Sequence, residues 1–480
     1  MSVYDIFSMI SRWAIPSILL VLIAFGISLV SYKFIYKKLF KGQGEVSLYQ
    51  FILFVILLGY LFLVFAMTGL SRGSDFNNTI INLNFLSDYL NVWYSWSLTS
   101  LLLLILNILM LVPLGFLLPL ISKKFNSVKK ILLVAFTFTA FIEVFQLITR
   151  RGIFELSDLL NNTIGALIGY FIVRVFLELK ESKKVSKNTI IKAFMIPGIY
   201  MVIFIGVIIF YNMKEFGNLN MNPAEYTDVS NVKIYSDIDF SDKEDKASVF
   251  YNVNSNNRKR ALDIIKILNE NFNVPSLKKK GMDGDNIQYA FETTSDSMYS
   301  MTYFYKEGTW SLNNFINDEN IKLSNNAIQE IEELLKTTNL IPENITLEYD
   351  ENNCLRWNSN SIDIKNNKTD FIDGTIMISN SASGKILNLY YELTDNKYVR
   401  DIEIISPQDA FEEIKKGNFY RYNPFNAGDE IQITDFEISY MYDSKGYYQP
   451  VYQFTGAVNG EKDMFSAIIP ASKYNGQNLF

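Results

Sequence analysis

The chain has 480 residues, of which 49% are hydrophobic, with a net charge of −6, one cysteine and no histidine. The missing histidine excludes Ser/His/Asp and Cys/His catalysis and histidine-ligated metals, and the single Cys354 excludes an intrachain disulfide. Residues 1–211 carry 18 basic and 9 acidic side chains, whereas residues 212–480 carry 26 basic and 41 acidic ones. The acidic second part argues against nucleic-acid binding, which needs clustered positive charge. The chain therefore divides near residue 211 into a basic, apolar part and an acidic, polar part.

Six apolar stretches in the first part are long enough to cross a bilayer as helices, which takes about 20 residues. They are Trp13–Val30, Tyr49–Thr68, Ser97–Ile121, Ile131–Ile148, Leu159–Phe176 and Ala193–Tyr211. The first apolar run is too long for a signal peptide and no small-residue cleavage site follows it. The sequence therefore predicts an α-helical polytopic membrane domain of about six transmembrane helices over residues 1–211.

The basic residues between these spans predict the topology. If the spans alternate, 14 basic residues fall on one side of the membrane and four on the other. The four are Arg12, Arg72, Arg150 and Arg151. Because loops rich in lysine and arginine stay in the cytoplasm, we expect the N-terminus and the whole second part to lie outside the plasma membrane.

Polar side chains interrupt the spans at one predicted depth. Ionisable groups inside a bilayer are costly unless paired or hydrated, so they are candidates for function. The candidate set is Arg72, Asn107, Glu143, Gln146, Arg150, Arg151, Asp158 and Asn162. Glu143 and Gln146 are three residues apart and share one helix face, and Ser157 is expected to be the N-cap of span five. The set predicts a polar pocket opening to the outer leaflet, with Glu143 and Asp158 as acids and Arg151 and Arg72 as bases.

A purely structural interpretation of these groups stays open, because buried ion pairs and amide hydrogen bonds also hold membrane helices together. Gly165 and Gly169 form a small-xxx-small pair that lets another helix approach closely, which predicts a structural role.

The pattern resembles the VanZ-like family of bacterial membrane proteins. The residues that carry the resemblance are Asn107, Pro113-Leu114-Gly115-Phe116, Glu143-Val144-Phe145-Gln146, Arg151, Phe154-Glu155-Leu156-Ser157-Asp158 and Asn162-Thr163-Ile164-Gly165 with Gly169. Glu155 stands where the family commonly has aspartate, and Ser157 replaces an acidic residue, which weakens any role that needs two aspartates there. The resemblance covers about residues 49–176, so spans 13–30 and 193–211 are additions to this core. It implies a link to teicoplanin-type glycopeptide resistance in some members, without an established mechanism.

Residues 212–480 predict an extracytoplasmic α+β region with antiparallel sheets, in two parts, 212–340 and 341–480. Predicted helices are Asn257–Asn271, Ser324–Thr337 and Pro407–Lys416, and predicted strands are Ile287–Thr293, Ser300–Lys306, Gly374–Ser379, Ile386–Leu393, Glu430–Tyr442 and Val451–Asn459. The run Lys278–Lys280 is expected in a solvated loop. The final 90–100 residues are similar to the PepSY-like modules of cell-wall regulatory proteins, which implies binding or regulation rather than catalysis.

Three functions fit this sequence. The first is a binding protein whose pocket takes a lipid head group or lipid-linked cell-wall precursor, with a cell-wall or glycopeptide ligand at the external domain. The second is an intramembrane enzyme that uses Glu143 or Asp158 as general base on a lipid-linked substrate. The third, ranked last for want of an inverted repeat, is a small-molecule transporter. No metal or cofactor is expected.

Overall fold

The protein is described by a computed structural model that divides into two compact units. It describes residues 3–39, 47–70, 81–221, 229–272, 274–283, 286–290, 299–315, 323–342, 345–349, 354–359, 362–380, 386–421 and 425–473. The first unit comprises Val3–Trp93 and Leu98–Glu215, and the second comprises Tyr94–Ser97 and Phe216–Phe480.

The described part of the first unit consists of helices joined by short irregular segments, with one short pair of strands. Its helices are α1 (Val3–Val30), α2 (Leu48–Phe65), α3 (Ser87–Ser95), α4 (Leu98–Met110), α5 (Val112–Ile121), α6 (Val128–Thr149), α7 (Leu156–Ser182) and α8 (Lys187–Met213). π-helical turns extend α1 over Ser31–Leu39 and α2 over Ala66–Leu70, and a 3-10 turn covers Lys123–Phe125. Strands β1 (Ile81–Asn82) and β2 (Phe154–Glu155) pair in parallel.

Five helical stretches within the described ranges are long and apolar enough to cross a membrane. They are Leu48–Leu70, Leu98–Ile121, Val128–Thr149, Leu156–Ser182 and Lys187–Met213. These five correspond to predicted spans two to six. Helix α1 contains a shorter apolar stretch, Ser11–Ile27, so the count of six spans stays a prediction.

Helix α7 packs directly against the backbones of α4 and α5. A Cβ atom added to Gly165 would lie 1.8 Å from the carbonyl oxygen of Ile108, and one added to Gly169 would lie 2.0 Å from that of Val112. The later residue of α7 thus meets the later residue of the facing segment, so α7 runs in the same direction as α4 and α5. Spans three and five of a chain with alternating spans must have this relation. We call this contact, with Gly115 against α7, the glycine seam. Its glycines have the structural role expected from their spacing.

The second unit contains three helices and fifteen strands among its described residues. The helices are α9 (Arg258–Asn271), α10 (Asn325–Thr337) and α11 (Pro407–Lys415). One sheet has the order β5-β6-β7-β8-β13-β12-β10-β9, formed by Lys278–Asp283, Asn286–Ala290, Tyr299–Phe304, Thr309–Asn314, Ile386–Tyr391, Thr375–Asn380, Leu355–Asn358 and Glu348–Tyr349. The other has the order β11-β14-β4-β16-β15-β3, formed by Phe371–Asp373, Thr394–Ile404, Asp245–Asn252, Tyr447–Val458, Glu430–Tyr442 and Lys233–Ser236, with β17 (Glu461–Pro470) on β16.

Each sheet forms a hydrophobic core with helices. Leu268 of α9 and Leu335 of α10 share a cluster with Trp310 of the eight-stranded sheet. Ile414 of α11 shares another cluster with Phe454 of the seven-stranded sheet. All strand pairs in these two sheets are antiparallel except β3 with β15. The predicted α+β class with antiparallel sheets is confirmed for the second unit.

The three predicted helices of this unit are present with polar N-caps. The side chains of Asn257, Ser324 and Ser406 each accept a hydrogen bond from the backbone N–H three residues later. Strand β4 was not predicted because its middle is buried on both faces and therefore lacks the alternation expected of a half-buried strand. Lys278–Lys280 lie in β5 rather than in a loop, at the edge of the eight-stranded sheet.

The two sheets do not follow one another along the chain. The eight-stranded sheet uses strands between Lys278 and Tyr391, whereas the seven-stranded sheet uses β3 and β4 before them and β11 and β14 to β17 from Phe371 onward. The strand order shows which strands are hydrogen-bonded, but it does not define which parts of the chain fold as units. The predicted division of the second part of the chain near residue 340 therefore stays a prediction.

Asp443 anchors the start of the second unit to the hairpin of β15 and β16. Its side chain is 2% exposed and accepts a hydrogen bond from the backbone N–H of Gly217 at 2.6 Å. It also accepts from the backbone N–H groups of Lys445 and Tyr447, at 2.8 and 2.9 Å, and from the amide of Gln449 at 2.5 Å. One buried carboxylate thus satisfies four donors.

We expect Gly165→Leu to destabilise the first unit by about 1–3 kcal/mol or more, because a side chain cannot fit against the carbonyl oxygen of Ile108. The melting temperature in detergent, followed by size-exclusion chromatography, measures this effect. Gly206→Leu on α8 is the control, since a Cβ there meets nothing within 4 Å. Equal melting temperatures for the two variants would contradict the glycine seam.

We expect Asp443→Ala to destabilise the second unit by about 3 kcal/mol or more, because several donors lose their acceptor in a buried site. Urea unfolding monitored by tryptophan fluorescence measures the loss. Glu437→Ala, which removes an exposed carboxylate from the preceding strand β15, should leave the midpoint unchanged. A midpoint for Asp443→Ala within error of wild type would show that the anchor is dispensable.

Candidate functional site

Three carboxyl groups meet where α3 and α7 begin. Asp88 lies in the first turn of α3, Glu155 is the N-cap residue of α7, and Asp158 lies in the first turn of α7. Each offers an oxygen atom, and these oxygens all lie within 4.8 Å of one another. The parallel pairing of β1 with β2 matches Asn82 to Glu155, and so brings the starts of the two helices together. We call these three residues the carboxyl cluster.

Two asparagine amides hold the carboxyl cluster. Nδ2 of Asn107 donates to Oδ1 of Asp158 at 2.5 Å and to Oδ2 of Asp88 at 3.4 Å. Nδ2 of the fully buried Asn161 donates to the same oxygen of Asp88 at 2.7 Å. The hydroxyl of Tyr89 donates to Oδ1 of Asn161 at 2.6 Å, which fixes the orientation of that amide. The phenol of Tyr89 also lies 2.6 Å from that of Tyr200 on α8.

The carboxyl cluster is built on a repeated hexapeptide. Residues 86–91 read Leu-Ser-Asp-Tyr-Leu-Asn and residues 156–161 read Leu-Ser-Asp-Leu-Leu-Asn. In each copy a two-residue strand precedes the start of a helix. The hydroxyl of Ser87 donates to that of Ser157 at 2.8 Å, so equivalent positions of the two copies touch. The carboxyl groups of Asp88 and Asp158 are likewise equivalent.

Asp88, which sequence reasoning missed, is partly buried. Burial raises the pKa of Asp88, although hydrogen bonds from Asn107, Ser157 and Asn161 act to lower it. Asp88 lies between two predicted spans, whereas the candidate residues were selected mainly as polar residues at membrane depth. Comparison of the two copies of the hexapeptide identifies it.

Three of the candidate residues hold the helix ends around the carboxyl cluster. Oε2 of the buried Glu143 accepts from the backbone N–H of Glu155 at 3.1 Å, beside the N-terminus of α7. Gln146 and Arg151 donate to the carbonyl oxygens of Thr68 and Leu70, at 3.0 and 2.8 Å.

These contacts join the C-terminal end of α6 to the π-helical turn after α2 and to β2. Nδ2 of Asn162 donates to the hydroxyl of Thr139 on α6 at 3.0 Å.

The remaining candidates differ in their placement. Arg150 is exposed and ends α6 in the left-handed conformation, with φ 54°. Arg72 lies outside the described residues. Ser157 is not the N-cap of α7, because Glu155 holds that position and Ser157 lies in the first turn. Of the eight candidates, Asn107 and Asp158 therefore contribute directly to the carboxyl cluster.

Carboxylate and amide oxygens are the ligands that Mg²⁺ and Ca²⁺ prefer. The spacing of Asp88, Glu155 and Asp158 would let one divalent cation contact all three. The same oxygens accept hydrogen bonds from hydroxyl and ammonium groups. The expected absence of a metal stays a prediction.

Comparison with known proteins places this site inside a recognised domain. The family model VanZ/LLP1 matches residues 51–177, which confirms the resemblance over about 49–176. It contains Asn107, Glu143, Gln146, Arg151 and Asp158, and it also contains the newly identified Asp88. No curated protein matches the chain.

Among solved structures, an uncharacterized protein from Eubacterium rectale is 11% identical, covers 50% of this chain and 87% of its own, and has a TM-score of 0.21. The YpeB C-terminal domain from Bacillus megaterium is 14% identical, covers 44% of this chain and 92% of its own, and has a TM-score of 0.20. At these TM-scores neither likeness carries an argument about this chain.

We expect Asp88→Asn to flatten the dependence of the melting temperature on pH. Because the folded pKa of Asp88 is raised, its contribution to stability is full below the unfolded pKa of about 3.9 and is lost as the pH rises through the folded pKa. Wild type should therefore lose stability as the pH rises above about 4, and Asp88→Asn should lose less. Glu181→Gln, at an exposed position of α7, should follow wild type. Parallel pH profiles for Asp88→Asn and wild type would contradict this interpretation.

Proposed function

With residues 51–177 matching the VanZ/LLP1 family, we propose that this membrane protein binds the polar head group of a lipid or lipid-linked cell-wall precursor at the carboxyl cluster. The observation that supports this most is the meeting of Asp88, Glu155 and Asp158 at the ends of apolar helices. A head group anchored by its lipid chain lies at the same depth as such helix ends.

The chemistry of the carboxyl cluster suits a ligand rich in hydrogen-bond donors. Three carboxyl groups accept hydrogen bonds from sugar hydroxyls or from an ammonium group, and Asn107 holds Asp158 in place. A phosphate of the same head group would meet arginine, for which Arg151 and Arg72 are the candidates. Glu143 and Gln146 set the geometry by fixing the helix ends around the cluster.

The proposed cellular role is in envelope assembly or in susceptibility to teicoplanin-type glycopeptides, as the family resemblance implies. We place the carboxyl cluster at the outer leaflet and the second unit outside the cell, because the basic loops are predicted to lie inside. Lipid-linked wall precursors are available to an outward-facing site of this kind.

A second candidate function is an enzyme acting on the same lipid-linked substrate. The raised pKa of Asp88 favours it, since a carboxyl group that keeps its proton close to Asp158 can serve as the acid. Asp158 or Glu143 would be the general base. Turnover of a lipid-linked precursor by the purified protein, lost in Asp158→Asn, would select this function over binding alone.

We expect native mass spectrometry of the purified protein to show a retained lipid. Asp158→Asn should lower its occupancy at least tenfold relative to wild type, because Asn107 then faces an amide instead of a carboxylate. Glu143→Gln and Arg151→Ala should also lower it, by releasing the helix ends.

Glu181→Gln is the matched control, because it neutralises an exposed carboxylate on the same helix α7. Each variant must express and elute as wild type. Unchanged lipid retention in both Asp158→Asn and Arg151→Ala would refute the proposed binding site.

A further inference from the structure

A cavity of about 460 Å³ opens in the second unit, between its two sheets. Trp357 comes from β10 of the eight-stranded sheet, and Phe371 and Ile372 come from β11 of the seven-stranded sheet. Ile362, which is 39% exposed, adds a further apolar wall. The volume lies within the range of about 300–1,000 Å³ that is usual for small-ligand sites.

Trp357 lines the cavity with part of its ring and packs with the rest against the hydrophobic core of the eight-stranded sheet. The residue is partly exposed, and it makes no ring–ring or cation–ring contact with any described residue. Its indole N–H has no acceptor among the described residues. In contrast, Trp310 in the same sheet is 1% exposed and stacks on Tyr391. Trp357 therefore combines an apolar face with a free donor at the cavity wall.

A paired set of charges also lines the cavity. Nζ of Lys397 lies 3.2 Å from Oδ1 of Asp395 and 3.4 Å from Oδ2 of Asp370. Oδ1 of Asp370 also accepts from the backbone N–H of Tyr398 at 2.9 Å, which holds this carboxylate in place. The set offers both donors and acceptors, with a net charge of only −1.

We propose that this cavity binds a glycan, with one pyranose ring against Trp357 and its hydroxyls on Asp370, Asp395 and Lys397. A pyranose ring has an apolar C–H face and an edge of hydroxyl groups, which matches a cavity lined by an indole ring together with mixed donors and acceptors. A strongly anionic polymer fits less well, because the two carboxylates outnumber the lysine. A purely apolar chain would leave this charged set without partners.

The glycan site is separate from the carboxyl cluster and uses different residues. Its ligand is a chain of sugars, whereas the carboxyl cluster is proposed to take a lipid head group. The Asp158→Asn variant distinguishes the two proposals, because it should lose retained lipid and keep glycan binding.

The test is calorimetric titration of the full-length protein in nanodiscs with a tetramer of β-1,4-linked N-acetylglucosamine. We expect wild type to bind, Trp357→Ala to bind at least tenfold more weakly, and Trp357→Tyr to retain most of the affinity. Asp395→Asn, which changes a carboxylate without removing bulk, should weaken binding at least threefold. Phe315→Ala, which removes an exposed aromatic ring elsewhere in the unit, should bind as wild type.

Three results would overturn the proposal. They are no binding of the tetramer to folded wild type at millimolar concentration, wild-type affinity in both Trp357→Ala and Asp395→Asn, and binding of a tetra-alanine peptide in place of the tetramer. Thermal unfolding of each variant confirms folding, and Asp395→Asn decides the matter if Trp357→Ala does not fold.

Discussion

The contact of α7 with the backbones of α4 and α5 determines where the functional groups of the first unit lie. Gly165 and Gly169 bring α7 against the carbonyl oxygens of Ile108 and Val112, at a separation that no side chain permits. Asn107 precedes Ile108 in the sequence, so the same contact carries its amide to Asp158 near the start of α7. A membrane bundle gains little from the hydrophobic effect, since lipid is as apolar as leucine, and therefore depends on such close packing. The carboxyl cluster is a consequence of this packing.

Polar groups from several elements stabilise the partly buried carboxyl cluster. Burial opposes the charge on Asp88, while Asn107, Ser157 and Asn161 favour it. The amide of Asn161 is itself held by the phenol of Tyr89. This chain of hydrogen bonds fixes rotamers and amide orientations around the site, as a preorganised binding site requires. Glu143, Gln146 and Arg151 do not contact Asp88 through a described hydrogen bond; they form hydrogen bonds with backbone groups that connect the helix ends around the cluster.

The sequence predicts those features of the first unit that depend on residues close to one another along the chain. Helix spans follow from unbroken apolar runs, Glu143 and Gln146 share a face because they are three residues apart, and Gly165 with Gly169 marks a close contact. Asp88 could not be found by the same rules, because its importance depends on pairing between β1 and β2 that brings distant segments together. Only the duplicated hexapeptide carried that information. In the second unit, β4 was missed for a related reason, since strands buried on both faces lose their alternation.

The lysines of β5 bear on whether copies of the protein can pair through their sheet edges. A membrane anchor confines copies of the protein to a plane, where they meet more often than in free solution and with fewer possible orientations. An unpaired strand edge invites a neighbouring copy to extend the sheet. The strands that end the two sheet orders elsewhere, β9, β11 and β3, have only two, three and four residues, whereas β5 has six. Three consecutive exposed lysines on β5 place positive charge along this edge of the eight-stranded sheet, which disfavours edge-to-edge pairing of two copies there.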